Sequence, residues 1–540
     1  MTRSRTYRLT LLTGLVSLGG LGFSGAASAS LGGPCLVPVA ATPAKATQWL
    51  EHCVAQVNGG GPLAPNEIVF EGAQTYELDA PLELRRDVVI HGDEQIVRAR
   101  AGFTGDSLFV VGSACPGAGC LDPVDVTIEG MELTAPYASD VRGVLLRSDN
   151  SLTLDGVHLH ELRSASSGGC VRAESESTLF VFDSTLEECT SGADGGALFS
   201  EASVTAIVGT RISDSVAGRT KPDSAAQGAG GGIYVPSNPT SARKLNLWDT
   251  TVEGNEAAEG GGIKVGGDNV NAQITESTLQ GNIAARTGGG FYGGATIVRS
   301  LLSDNSAGER GGGAYIDTNA EIRESTVRAN HAWRGGGLYI RPDDFEDVDI
   351  IQTTLEANTT LNSALGVTWG SGVFVRGTNP AMQTTTFSNC TFSENGSTSV
   401  NARGGGLAAS RVDVVIEHST FYNNESRFGR SLYTPTVGNT YLTLNSSIIA
   451  NTNTSAPGNA CDILGPAPFQ TTTSIDIDGS CNVEFSNDPG LAPLTNNGGP
   501  TETHLPTAVD VFKTATCFSN VDQRGVARPG SLCDIGSVQQ

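Results

Sequence analysis

The sequence predicts an all-β protein, a right-handed parallel β-helix of about a dozen coils, because its signals recur at a solenoid period. A unit returns every 23–27 residues: D-T-T-V-E-G-N (249–255) then G-G-G (260–262), E-S-T-L-Q-G-N (276–282) then G-G-G (288–290), R-S-L-L-S-D-N (299–305) then G-G-G (311–313), E-S-T-V-R-A-N (324–330) then G-G-G (335–337). The runs between these signals are short and rich in Val, Ile, Thr and Phe, with no room for a helix in each repeat. A polar position also keeps its register. Aligning the copies on a small residue gives Ser184, Thr210, Thr250, Ser277, Ser300, Ser325, Thr353, Cys390, Ser419 and Ser446. Five residues on stand Cys189, Ser215, Asn255, Asn282, Asn305, Asn330, Asn358, Asn395, Asn424 and Asn451.

Eight Asn in ten positions is the pattern of a side-chain ladder, each amide bonding to the coils above and below. The triple glycines mark a corner that needs positive φ or close backbone approach. Coils stacked at the ~4.8 Å strand spacing make a rod of roughly 60 Å. Asn150, in a polar turn, is expected outside the ladder.

Gly accounts for 69 of 540 residues without a Gly-X-Y period, which excludes collagen. Asp and Glu number 57 against 33 Lys and Arg, for a net charge of −24. That balance argues against nucleic acid and anionic membranes, and it suits solubility outside the cell or divalent cations. Residues 1–29 read as a signal peptide: Arg3, Arg5 and Arg8, an apolar run from Leu9 to Phe23, then Ala27-Ser28-Ala29, so the mature chain is expected to begin at Ser30. No later run is long enough to span a membrane. The 11 cysteines follow this segment and suit an oxidising compartment. Proximity pairs Cys35 with Cys53, Cys115 with Cys120, Cys170 with Cys189, Cys461 with Cys481 and Cys517 with Cys533, leaving Cys390 at a repeat position.

Along the chain, residues 44–57 form an amphipathic helix that fits an N-terminal cap, and residues 30–87 hold this cap and the entry strands. The β-helix is expected over 88–487, with V-T-I-E-G-M-E-L (126–133) and L-T-L-D-G-V-H-L (152–159) as early copies. Residues 488–540 form a compact C-terminal capping segment. Loops at 236–243, 341–349 and 377–383 interrupt equivalent corners, and in a solenoid such loops gather on one face.

Gly195-Gly196-Ala197-Leu198, Phe392 to Asn395 and Phe421 to Asn424 resemble the G-G-A-[ILV] and F-x-x-N motifs of chlamydial polymorphic outer membrane proteins. The end of the chain, D-P-G-L-A-P-L-T-N-N-G-G-P-T-E-T-H (488–504), V-D-Q-R-G-V-A-R-P (521–529) and C-D-I-G (533–536), is similar to the terminus of bacterial choice-of-anchor Q domain proteins. The resemblance implies a pectin-lyase-like β-helix, exported to the cell surface or secreted. No sorting motif follows the terminal segment, and only residues 488–540 follow the coils, too few for an autotransporter barrel.

Candidate sites are few. Asp343, Asp344, Glu346, Asp347 and Asp349 form the densest carboxylate cluster, a candidate for Ca²⁺ or a solvated acidic turn. Arg310, Arg334 and Arg403 precede glycine triplets and are candidates for the base of a Ca²⁺-dependent lyase, or for surface residues paired with Glu. His158 and His160 share a strand face without an evident third ligand and are expected to face solvent. Trp333 and Trp369 suit either stacking on sugar rings or packing under loops. The favoured reading is a monomeric, non-catalytic adhesion or recognition module that binds a glycan or cell-surface component through its corner loops. The alternative is a polysaccharide lyase or hydrolase.

Overall fold

The computed structural model describes residues 33–61, 63–113, 122–136, 140–219, 226–342, 346–361, 366–378, 383–397, 399–436, 438–451, 458–465, 469–507, 516–530 and 532–540. Residues 1–32, Cys115, Cys120, Asp343 and Asp344 lie outside these residues.

The chain winds as a parallel β-solenoid of about 13 turns. Among the described residues its strands stack into sheets of 29, 14 and 8 strands, and one coil shows how. Ala314–Ile316 joins the fourteen-strand sheet, Ala320–Arg323 and Thr326–Arg328 join the long sheet, and His331–Ala332 joins the eight-strand sheet. The next coil lays Leu338–Ile340, Val348–Ile351, Thr354–Glu356 and Thr359–Thr360 on them in parallel register. Alternation decides what is inside: Ile316, Ile322 and Val327 are fully buried, and they belong to one apolar cluster that runs from Val37 to Cys481. Helix α1 (Pro43–Gly59) is capped by the Thr42 hydroxyl, and Ala46, Leu50, Cys53, Val54 and Val57 join the same core.

Sharp corners let each coil close. The residue before each small polar position sits in the left-handed region: Arg299 (φ 47°) before Ser300, Asp304 (φ 57°) before Asn305, Glu324 (φ 51°) before Ser325. Non-glycine residues lose ~1–2 kcal/mol there, a cost the stacked coils offset. In the triplet 311–313, Gly311 takes φ 65°. A Cβ on Gly312 would meet the Gly336 carbonyl oxygen at 2.3 Å, and one on Gly313 would meet the Gly337 oxygen at 2.7 Å. Turn geometry and coil spacing together therefore require glycine at this corner.

The polar row inside the corner is an amide ladder. Asn305 Nδ2 donates to Asn330 Oδ1 at 3.0 Å and to the Leu279 carbonyl at 2.9 Å. Its Oδ1 accepts from Asn282 Nδ2 and from the Asn282 N–H, both at 3.0 Å. The same bonds link Asn255, Asn282, Asn305, Asn330, Asn358, Asn395 and Asn424, and the Asn424 N–H donates to Asn451 Oδ1 at 3.1 Å. The Ser/Thr row stacks likewise through backbone N–H to hydroxyl bonds, and after Ser419 it runs through Ser447, which accepts from the Ser419 N–H, to Ser474, which accepts from the Ser447 N–H. Ser446, aligned there by sequence, is instead the positive-φ corner residue. Cys390 sits in this row as a buried free thiol donating to the Ile350 carbonyl, and burial pushes its pKa up to about 12. Asn150 lies outside the ladder but is buried: it accepts from the Val124 N–H and donates to the Arg147 and Ser148 carbonyls, so it braces its turn.

Disulfides join Cys35–Cys53, Cys170–Cys189, Cys461–Cys481 and Cys517–Cys533. The second of them occupies the ladder column at Cys189, where no Asn is available. The C-terminal segment lies back along the side of the rod, over the outer face of the long sheet. Gln523 bonds Thr354 and Thr391, Ser537 bonds Thr420, His504 bonds Ser393, and the Arg528 guanidinium bonds Asn389. The D-Q-R-G-V-A-R-P motif thus spends its polar groups on docking this segment.

Candidate functional site

The fourteen-strand sheet carries an aromatic column on its outer face. In strands such as Val171–Ala173, Ile233–Val235 and Ile263–Val265 the two flanking residues are buried and the middle one turns outward. Registered neighbours run Arg172, Phe199, Tyr234, Lys264, Tyr292, Tyr315, Tyr339, Phe374, Ala408 and Tyr433. Tyr292 and Tyr315 stack with centroids 4.7 Å apart, and Tyr315 and Tyr339 at 5.2 Å, close to the strand spacing that sets them. Burial raises the pKa of the Tyr315 phenol, and burial followed by nearby Asp317 raises that of Tyr292 further, so both stay protonated.

A second column stands at the glycine corner beside it. Bridges align Thr287, Arg310, Arg334, Trp369, Arg403 and Phe428 from coil to coil. Arg334 lies over the Trp333 ring at 4.2 Å, Arg403 over Trp369 at 4.9 Å and Tyr433 at 5.4 Å, and Arg310 over Tyr339 at 5.8 Å. Such cation–π contacts strengthen as the ring and guanidinium lose water. The expected pairing of these arginines with Glu holds only for Arg310, with Glu309 at 3.7 Å. Among the described residues, Arg334 and Arg403 have no carboxylate within ion-pair distance, because the stack beside them presents rings. Burial, then the like charges of Arg310 and Arg376, lower the Arg334 pKa.

The corner loops border the other edge of this face. They leave the sheet after Ile233–Val235, Leu338–Ile340 and Val373–Arg376. Two of them are tied together: Gln383 Nε2 donates to the Pro342 carbonyl at 2.9 Å, and the Thr384 N–H donates to Asp347 Oδ1 at 3.1 Å. Glu346 is buried, and Asp349 is exposed on the strand Val348–Ile351 of the long sheet. Among the described residues, Glu132, His158 and His160 form a cluster with metal-ligand spacing, while Asp343 and Asp344 of the acidic loop lie outside those residues. Glu132 is thus the third group that His158 and His160 had lacked.

The aromatic column was missed in sequence, although Tyr stands two residues after the triplet in G-G-G-F-Y, G-G-G-A-Y and G-G-G-L-Y. Glu132 also had a signal. Laying V-T-I-E-G-M-E-L over L-T-L-D-G-V-H-L sets Glu132 on His158, the register the structure shows.

No family model and no curated protein matches the chain. Among solved structures, it is similar to bacteriophage CBA120 tailspike protein 3, at 12% identity and a TM-score of 0.42, over 77% of this chain and 59% of the tailspike. It therefore spans less than two thirds of the tailspike's length. It is also similar to the Streptococcus pneumoniae surface protein and adhesin PfbA, at 10% identity and a TM-score of 0.32, over 82% of this chain and 96% of PfbA.

Proposed function

We propose that the chain is an exported, non-catalytic recognition rod that binds an acidic glycan on the outer face of its fourteen-strand sheet, between the arginine column and the corner loops. One observation carries the reading: in a chain of net charge −24, Arg334 and Arg403 are stacked on aromatic rings and lack a carboxylate partner among the described residues. Guanidinium groups bind carboxylate and sulfate in bidentate fashion, and rings held beside them offer an apolar surface to the sugar. Trp369 and Phe428 alternate with the arginines along the corner, so charged and apolar contacts repeat coil by coil. Export is supported by the basic–apolar–small pattern of residues 1–29, by the disulfides and by the terminal motifs' resemblance to choice-of-anchor Q domain proteins.

Calorimetric titration with polygalacturonate and with a neutral glucan of similar length tests this. Selective binding of the acidic polymer is expected, weakening with salt and falling at least ~10-fold in the double variant Arg334→Gln/Arg403→Gln with unchanged circular dichroism. Equal affinity in wild type and variant would overturn it. Growth of unsaturated-uronate absorbance in the presence of Ca²⁺ would assign lyase chemistry instead.

A further inference from the structure

We propose that Glu132, His158, His160 and Glu187 form a binding site for a zinc-type dication on the outer face of the long sheet, a different sheet from the aromatic column. His158 and His160 are alternate residues of the strand His158–His160, so both side chains leave the same face. Alternate Cα atoms of a strand stand ~6.6–7 Å apart. The two rings nevertheless lie with centroids 4.5 Å apart and planes 26° from parallel, so they lean together. Glu132 comes from the coil before, in register with His158, and Glu187 from the coil after, in register with His160. Each carboxylate then crosses the diagonal: His160 Nε2 is 2.9 Å from Glu132 Oε1, and His158 Nε2 is 2.7 Å from Glu187 Oε1.

Two separate surface His–Glu pairs would not need to converge. Here the ligand atoms of Glu132, His158 and His160 all lie within 4.8 Å of one another. A tetrahedral ion bonded at ~2.0–2.2 Å places its donors ~3.4 Å apart. The side chains retain 21–42% of their exposure, which leaves them room to turn towards an ion. Glu187 is held from behind: Arg211 Nη1 lies 3.1 Å from its Oε2, the arrangement by which outer groups orient metal ligands.

The donor chemistry selects the ion. Two imidazoles with two carboxylates suit zinc and its neighbours, whereas Ca²⁺ takes an all-oxygen set. The bound ion would tie three successive coils in a region upstream of Asn255, where the amide ladder has not begun.

The test uses the full, tag-free chain stripped with a chelator and titrated with ZnCl₂ by calorimetry. One saturable ion per chain is expected, with a zinc-dependent rise in melting temperature. The double variant His158→Gln/His160→Gln should lose at least ~10-fold in affinity and show no thermal shift. Cobalt(II) should give visible d–d absorption in wild type and not in the variant. Absence of saturable binding, or equal zinc affinity in wild type and variant, would overturn the site. If the double variant does not fold, Glu132→Gln decides: weaker zinc binding supports the site, and unchanged binding overturns it.

Discussion

The indole of Trp369 stacks on the ring of Phe374, next to Ala408, the one small residue between Phe374 and Tyr433 in the outward column. Phe374 and Tyr433 are two strands apart, ~9–10 Å, too far for their rings to meet. Trp369 reaches across from the corner, stacking on Phe374 at 5.3 Å and meeting Tyr433 edge-on at 5.3 Å. The aromatic column therefore continues through a residue from a different column, and Arg403 closes over the join.

Trp369→Ala should accordingly open this join and cost about 1–3 kcal/mol, below the range for a fully buried Trp because the indole is partly exposed. Urea unfolding checks the magnitude. A cost under ~0.5 kcal/mol, the range of an ordinary surface substitution, would mean that Trp369 merely covers the column.

Asn305→Ala should cost about 1–3 kcal/mol, because it leaves the Asn282 N–H, the Asn282 amide and the Leu279 carbonyl without their partner. Asn150, although outside the ladder, is buried and bonded and would itself lose stability on truncation. Asn271, exposed on the strand Val270–Thr275, is the proper comparison. Equal urea midpoints for Asn305→Ala and Asn271→Ala would remove the ladder from the stability argument.

The rod was readable in sequence because a solenoid repeats its inner positions: the Asn row, the Ser/Thr row and the glycine corner are the same physical problem solved once per coil. What lies outside the coil is not under that constraint. Lys264, Tyr292, Phe374 and Ala408 share one column without sharing a residue type, so no repeat signal marks them. Glu132 and His158 are 26 residues apart and meet only through coil register. The arginines were singled out by position, but their partners could not be read, since Trp369 enters from the insertion-bearing coil and Tyr433 from three coils beyond Tyr339.

His418 makes the docking of the C-terminal segment sensitive to acid. The Phe518 N–H donates to its Nε2 at 3.2 Å, so that nitrogen must be unprotonated. Burial, followed by the charge of Arg528, pulls its pKa from 6.5 down to about 3. The unfolded chain takes up this proton as pH falls through 6.5, while the folded chain refuses it until about 3. Stability from this group is complete above pH 6.5 and is lost progressively between 6.5 and 3. His418→Gln keeps an acceptor for Phe518 without the titration. Its melting temperature should fall less than that of wild type between neutral pH and pH 4, and parallel curves would contradict the assignment.

Asp476 should act in the opposite sense. Its Oδ2 accepts from the Cys481 N–H, while burial and the adjacent Asp478 carboxylate push its pKa from 3.8 up to about 6. Asp478 itself is held low by its bonds to Ser480, Ala460 and Arg430, so the shared proton stays with Asp476. As pH rises from 3.8 to about 6, the unfolded chain gives up the proton and the folded chain keeps it, so the contribution to stability declines across that window and is then constant. Asp476→Asn supplies the N–H permanently, and its carbonyl oxygen can still accept from Cys481. The variant should melt higher than wild type at pH 7.5, with the difference shrinking towards pH 4. A variant that melts lower than wild type at pH 7.5 would show that Asp476 is needed as a carboxylate, against the direction of its shift.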